Sequence, residues 1–123
     1  MADEQVRPTS AGFKNMTARE LSMIYEATEA SAEALTSVIN QPRCTDRVEQ
    51  VLWALSDALY DTRREAVAAA RVLRPKTECD QWEQERMLLT EAVRYGDLPD
   101  VMAAFGTVLQ RHMKQANGGR AAA

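Results

Sequence analysis

The chain has 123 residues, 46% of them hydrophobic and 27% charged, which fits one compact domain better than two. A net charge of −3 argues against a surface that tracks nucleic-acid phosphates over the whole molecule, and aromatics at only 6% require a core of Leu, Val, Ile, Met and Ala. A folded chain of this size removes roughly two-thirds of its extended surface from water, so neither a metal nor a disulfide staple is required.

Residues 1–16 mix Pro8, Thr9, Ser10 and Gly12 with isolated charges and show no period, which predicts a flexible N-terminal arm in which Phe13 is the residue able to dock. Asp3 and Glu4 fall where a secretory signal would be apolar, and no later stretch approaches 18 uncharged apolar residues. The expectation is a cytoplasmic protein with no membrane association. Cys44 and Cys79 then stay reduced, and the Asn15-Met16-Thr17 sequon is a chance match.

Thr17 followed by Glu20 is a capping box, and it opens a first helix from Ala18 to about Asn40. Its expected core face is Leu21, Ile24, Tyr25, Thr28, Ala32, Leu35, Val38 and Ile39, and Pro42 ends it. Asp46 with Glu49 repeats the cap and starts a second helix, Arg47 to about Leu73. Val48, Leu52, Leu55, Leu59, Thr62, Ala66, Ala69 and Leu73 form a regular seam for an antiparallel neighbour, with Trp53, Tyr60 and Val67 on a ridge turned away from it. Arg74-Pro75 stops this helix.

Thr77 with Asp80 caps a third helix, Glu78 to Tyr95, with Trp82, Leu88, Leu89, Ala92 and Val93 on its apolar face. Gly96 is expected in the left-handed position after it, and Asp97 caps the next. The fourth helix starts at Leu98 with Pro99 in its first turn, and its expected inward residues are Val101, Met102, Phe105, Val108, Leu109, His112 and Met113. Paired glycines at 118 and 119 predict a stop and a disordered tail over 117–123. No alternating β-branched run occurs, so the fold class is all-α. A single helical domain over 17–116 is built from two antiparallel hairpins packed as a four-helix bundle.

The residues supply little chemistry. His112 is the only histidine, which excludes the His-rich ligand sets of catalytic zinc and di-iron bundles, and its place near a helix end suits a dipole-complementing role. Neither cysteine has a Cys or His at ligand spacing, and the acidic neighbours Glu78, Asp80 and Glu83 oppose thiolate formation at Cys79. Glu78, Asp80, Glu83, Glu85 and Glu91 read as a solvated acidic face, because no Glu-x-x-His pair accompanies them. With no phosphate loop and no nucleophile–base set, the expectation is a protein that is not an enzyme and takes no metal or cofactor.

Charge does segregate. Residues 77–100 carry seven acidic residues against two basic ones, whereas 41–76 carry seven basic against five acidic, with Arg63, Arg64, Arg71, Arg74 and Lys76 toward the end of the second helix. Mutual neutralisation of the second and third helices is the simpler reading. A nucleic-acid patch is the other, and the absence of interleaved aromatics argues against it.

The stretch Glu91-Ala92-Val93-Arg94-Tyr95-Gly96-Asp97, followed by an alanine-containing helix, resembles the end of the helical effector domains of GntR-type transcription regulators. The resemblance implies an effector- or ligand-binding helical domain. Such domains carry ligand-binding histidines on several helices. Here Arg86 falls near one such place, and His112 does not fall on the expected offset.

The first two helices would span roughly 35–40 Å and the last two roughly 27 Å, so the short hairpin cannot cover the long one. The uncovered part should be the loop end with Leu35, Val38, Ile39, Val51, Leu52 and Trp53. Such a cluster predicts a partner-binding surface, occupied by another protein or a second copy of the chain, or else covered by the arm through Phe13. The function expected is that of a small regulatory or assembly factor acting through protein–protein contact.

Overall fold

The computed structural model describes residues 6–122, with side chains described to residue 117. Residues 1–5 and 123, the far ends of the expected arm and tail, lie outside the described residues. Four helices account for the fold: α1 (Ala18–Ile39), α2 (Asp46–Val72), α3 (Glu78–Tyr95) and α4 (Leu98–Ala122). No strand occurs among the described residues. No described helix is long and apolar enough to cross a membrane.

Local chemistry sets the boundaries. The Thr17 hydroxyl accepts the Glu20 N–H at 3.2 Å while the Glu20 carboxylate accepts the Thr17 N–H at 2.9 Å, a complete capping box. At α2 the cap is Thr45, which accepts the Val48 N–H at 3.4 Å, and Asp46 is already helical, where its charge faces the helix dipole. Thr77 caps α3 as the sequence predicts. Gly96, in contrast, is extended (φ −88°) and not left-handed. Glycine is needed there for space, since a Cβ would lie 2.7 Å from the Ala92 carbonyl oxygen and 2.8 Å from Asp100 Cβ. Asp97 and Asp100 then cap each other's N–H groups at 3.0 and 3.1 Å and open α4.

Side-chain pairs fix the topology. Glu26 meets Arg86 and Glu29 meets Arg94, so α1 and α3 run parallel. Arg63 meets Glu91 while Gln84 reaches the carbonyls of Ala70 and Leu73, so α2 and α3 are antiparallel. Glu85 meets Arg111 and His112, and Gln81 meets Gln115, so α4 returns along α3. The result is an up-down-up-down arrangement in which, among the described residues, α4 packs against α3 alone.

The core is small and sits where α1, α2 and α3 meet: Leu21 and Tyr25, then Ala66, Val67, Ala69 and Ala70, then Met87. Alanines keep the second half of α2 narrow, so both neighbours approach closely there. Leu21 is fully buried, and enclosing a leucine in this way stabilises by about 1.5–3 kcal/mol. Phe13 is buried in the same cluster, and the Ser10 N–H donates to Glu65 at 2.7 Å, which ties the described part of the arm to α2. Phe13 therefore lies in the three-helix core and does not cover the loop end.

Several expected positions move. Leu55, expected in the seam, is 50% exposed, while Leu52, Ser56 and Leu59 are half-buried in its place. The apolar face of α2 is wider than one neighbour, and α1 takes only one flank of it. Val67, expected on the outward ridge, is buried because α3 also packs on α2. Of the expected inward residues of α4, Val101 and Val108 are half-buried, and Met102, Phe105, Leu109, His112 and Met113 are exposed. Trp82 and Val93 of α3 are exposed too. Finally, α4 continues through Gly118 and Gly119 to Ala122.

Candidate functional site

The loop-end residues come together as a surface with two levels. Leu35, Ile39 and Leu52 are half-buried between α1 and α2, and Val38, Val51 and Trp53 are exposed around them, with Val51 at 60%. The buried residues of α2 all fall between Arg63 and Ala70, because α3 reaches only the second half of that helix. The Trp53 indole N–H donates to Glu49 one turn earlier at 3.2 Å, which satisfies its polar edge and fixes its ring on the surface.

A second feature, a polar network at the junction of three helices, was not legible from the spacing. Arg63 is 2% exposed. Its guanidinium pairs with Glu91, lies 3.5 Å from Glu29, and stacks on the rings of Tyr95 (3.8 Å) and Tyr60 (4.6 Å). Tyr25 donates to Glu91 at 2.9 Å, Tyr95 donates to Glu29 at 2.7 Å, and Arg94 donates to Glu29 at 2.8 Å. Every oxygen of the two carboxylates has a donor, so neither is available as a base without breaking a pair. Burial, and then the hydrogen bond to Glu91, push the Tyr25 phenol well above its ordinary range. Burial and the bond to Glu29 push Tyr95 up to about 12. Burial alone would lower the Arg63 pKa, but the Glu91 and Glu29 charges outweigh it and raise it. The arrangement holds helices in register and offers no reactive group.

The network corrects two expectations. The acidic residues of α3 are not all solvated, since Glu91 is half-buried in this network and Glu85 is buried against Arg111 at 2.9 Å and His112 at 3.2 Å. The basic end of α2 also loses Arg63 to the interior, which removes one of its cations from any phosphate-binding surface. His112 faces a carboxylate, a contact that the distance of 27 positions hides in the sequence.

Between α2, α3 and α4 lies a cavity of about 580 Å³, floored by Leu88, Leu89 and Ala92 and walled by Ala104 and Val108. Gln84 lines it, and both of its donor contacts go to the last carbonyls of α2, at 2.8 and 2.9 Å. That capping leaves its side-chain oxygen, Oε1, buried without a partner among the described residues. No group of three or more His, Cys, Asp or Glu among the described residues could hold a metal ion. The chain matches no protein-family model, no curated protein and no solved structure.

Proposed function

We propose that the chain is a non-enzymatic helical interaction module, a small regulatory or assembly factor that binds another protein through the loop end of the α1–α2 hairpin. The observation that carries this reading is the exposure of Val38, Val51 and Trp53 over a half-buried apolar floor, at the place where α3 and α4 do not reach. A fixed tryptophan beside aliphatic side chains has the composition of an interface anchor. Comparative capture on immobilised wild-type protein tests it. Partners retained by the wild type should be lost from Val51→Asp and Trp53→Ala and kept by Met23→Asp, which changes an exposed apolar residue elsewhere on α1. Equal retention by all four proteins would remove the loop end from consideration.

A second reading, an effector-binding helical domain of the kind the GntR-type resemblance implies, is favoured by one observation. A cavity of about 580 Å³ has the size of a small-molecule site, and it is lined by Gln84, whose side-chain oxygen is buried without a partner among the described residues. A ligand with an apolar body and an N–H or O–H donor would suit it. In a metabolite screen by thermal shift, a ligand of this class should raise the melting temperature of the wild type and not of Gln84→Leu. If no such compound shifts the wild type at millimolar concentration, this second reading fails.

A further inference from the structure

The accessible surface of the chain is 9181 Å², whereas a compact monomer of 13.7 kDa exposes about 6,600 Å². The excess is more than the roughly 800 Å² per partner that a standard interface buries. Among the described residues α4 has a single neighbouring helix, α3. On the side turned away from α3, Leu98, Met102, Phe105, Leu109 and Met113 are 48–71% exposed and form one continuous stripe, about 23 Å long at 1.5 Å per residue.

The stripe has a symmetry of its own. Leu98 and Met113 lie equally far from its middle, as do Met102 and Leu109, and the midpoint falls between Phe105 and Gly106. Gly106 is a helix-interior glycine, a position where alanine is the more favourable residue. Nothing among the described residues requires it, because a Cβ built there meets none of their atoms within 4 Å. Met102, Phe105, Gly106 and Leu109 stand at i, i+3, i+4 and i+7, the diamond into which a facing helix inserts a knob, and the glycine lets that helix approach closely at its centre. Charge sets the direction. Asp97 and Asp100 lie at the start of α4, and Arg111 and Lys114 lie toward its end, so an antiparallel neighbour places unlike ends and opposed dipoles together.

We propose that α4 pairs with the α4 of a second copy, antiparallel and two-fold symmetric about the Phe105–Gly106 step. Leu98 is then level with the partner's Met113, Met102 is level with the partner's Leu109, and Phe105 packs at the diamond that Gly106 opens. The same patch serves both copies, as a closed two-fold dimer requires. The loop end of α1–α2 takes no part in this contact, so the pairing does not depend on the function proposed above.

Light scattering and sedimentation of the full chain test the stoichiometry. The expected result is a dimer that survives Val51→Asp and dissociates in Phe105→Asp, with the dissociation constant raised at least about thirtyfold, as for loss of a 2 kcal/mol anchor. Disulfide trapping tests the direction and does not rely on Phe105→Asp folding. With Cys44→Ser and Cys79→Ser as background, Met102→Cys chains mixed with Leu109→Cys chains should cross-link to each other, and neither should cross-link efficiently with itself. A monomer at hundreds of micromolar, a dimer unaffected by Phe105→Asp, or efficient self-linking of Met102→Cys alone would each overturn the proposal.

Discussion

Arg63 of α2 and Glu91 of α3 form an ion pair whose arginine is sealed from water, with the Tyr25 hydroxyl of α1 completing the carboxylate. The three helices that build the core are thus joined at one polar point. Removing one partner of a buried pair leaves the other charge uncompensated, which costs about 3–5 kcal/mol. Arg63→Ala should therefore destabilise by that amount in urea unfolding, and Arg63→Met combined with Glu91→Leu should recover part of it. If the double variant is no better than Arg63→Ala, the two residues are not coupled.

Alkaline pH should loosen the same junction. Tyr25 and Tyr95 both have phenols raised above the ordinary value of 10.0 in the folded state, Tyr95 to about 12. A raised folded-state pKa means that folding favours the protonated phenol. That stabilisation is complete below about pH 10 and is lost as pH rises through 12. Urea midpoints measured from pH 9 to 12 should fall for the wild type and fall less steeply for Tyr95→Phe. Identical slopes would show that Tyr95 is not linked to stability.

Core truncations should separate the two leucines that periodicity places on equal terms. Leu21→Ala should cost about 2–5 kcal/mol, because its site is fully enclosed. Leu55→Ala, at a residue half open to water, should cost less than about 1 kcal/mol. Chemical denaturation of both variants checks the order, and a reversal would mean that the α1–α2 seam runs through Leu55.

Glu85 joins α4 to α3 through Arg111 and His112. Glu85→Ala should release the second half of α4 while leaving the three-helix core in place. Hydrogen exchange should then accelerate over residues 107–115 and stay unchanged in the first turns of α1. Uniform acceleration throughout the chain would make Glu85 a contributor to global stability instead.

Cys44 and Cys79 are both free thiols. The 27 residues of α2 stand between them, about 40 Å of helix, against the roughly 7 Å that a disulfide tolerates between Cα atoms. Non-reducing peptide maps of the native protein should show no Cys44–Cys79 link, and finding one would contradict the antiparallel course of α2 and α3.

The sequence by itself determined the all-α class, four helices with boundaries good to a residue or two at Thr17, Thr77 and Asp97, and the shortness of α3 beside α2, whereas α4, expected to be as short, runs for 25 residues. Those features are local: a hydroxyl caps the N–H three residues on, proline stops a helix, and length follows from rise per residue. What only the tertiary structure decided is which flank of each apolar stripe finds a neighbour. The α2 stripe wraps far enough for two partners, and period alone does not distinguish Leu55 from Leu59. The α4 stripe reads as core, yet among the described residues α3 is the only helix that packs on α4, so Phe105 and Leu109 remain outside. Arg63 reads as a surface cation for the same reason: its two carboxylates and two aromatic rings come from positions three to thirty-four residues away, and only packing brings them to one point.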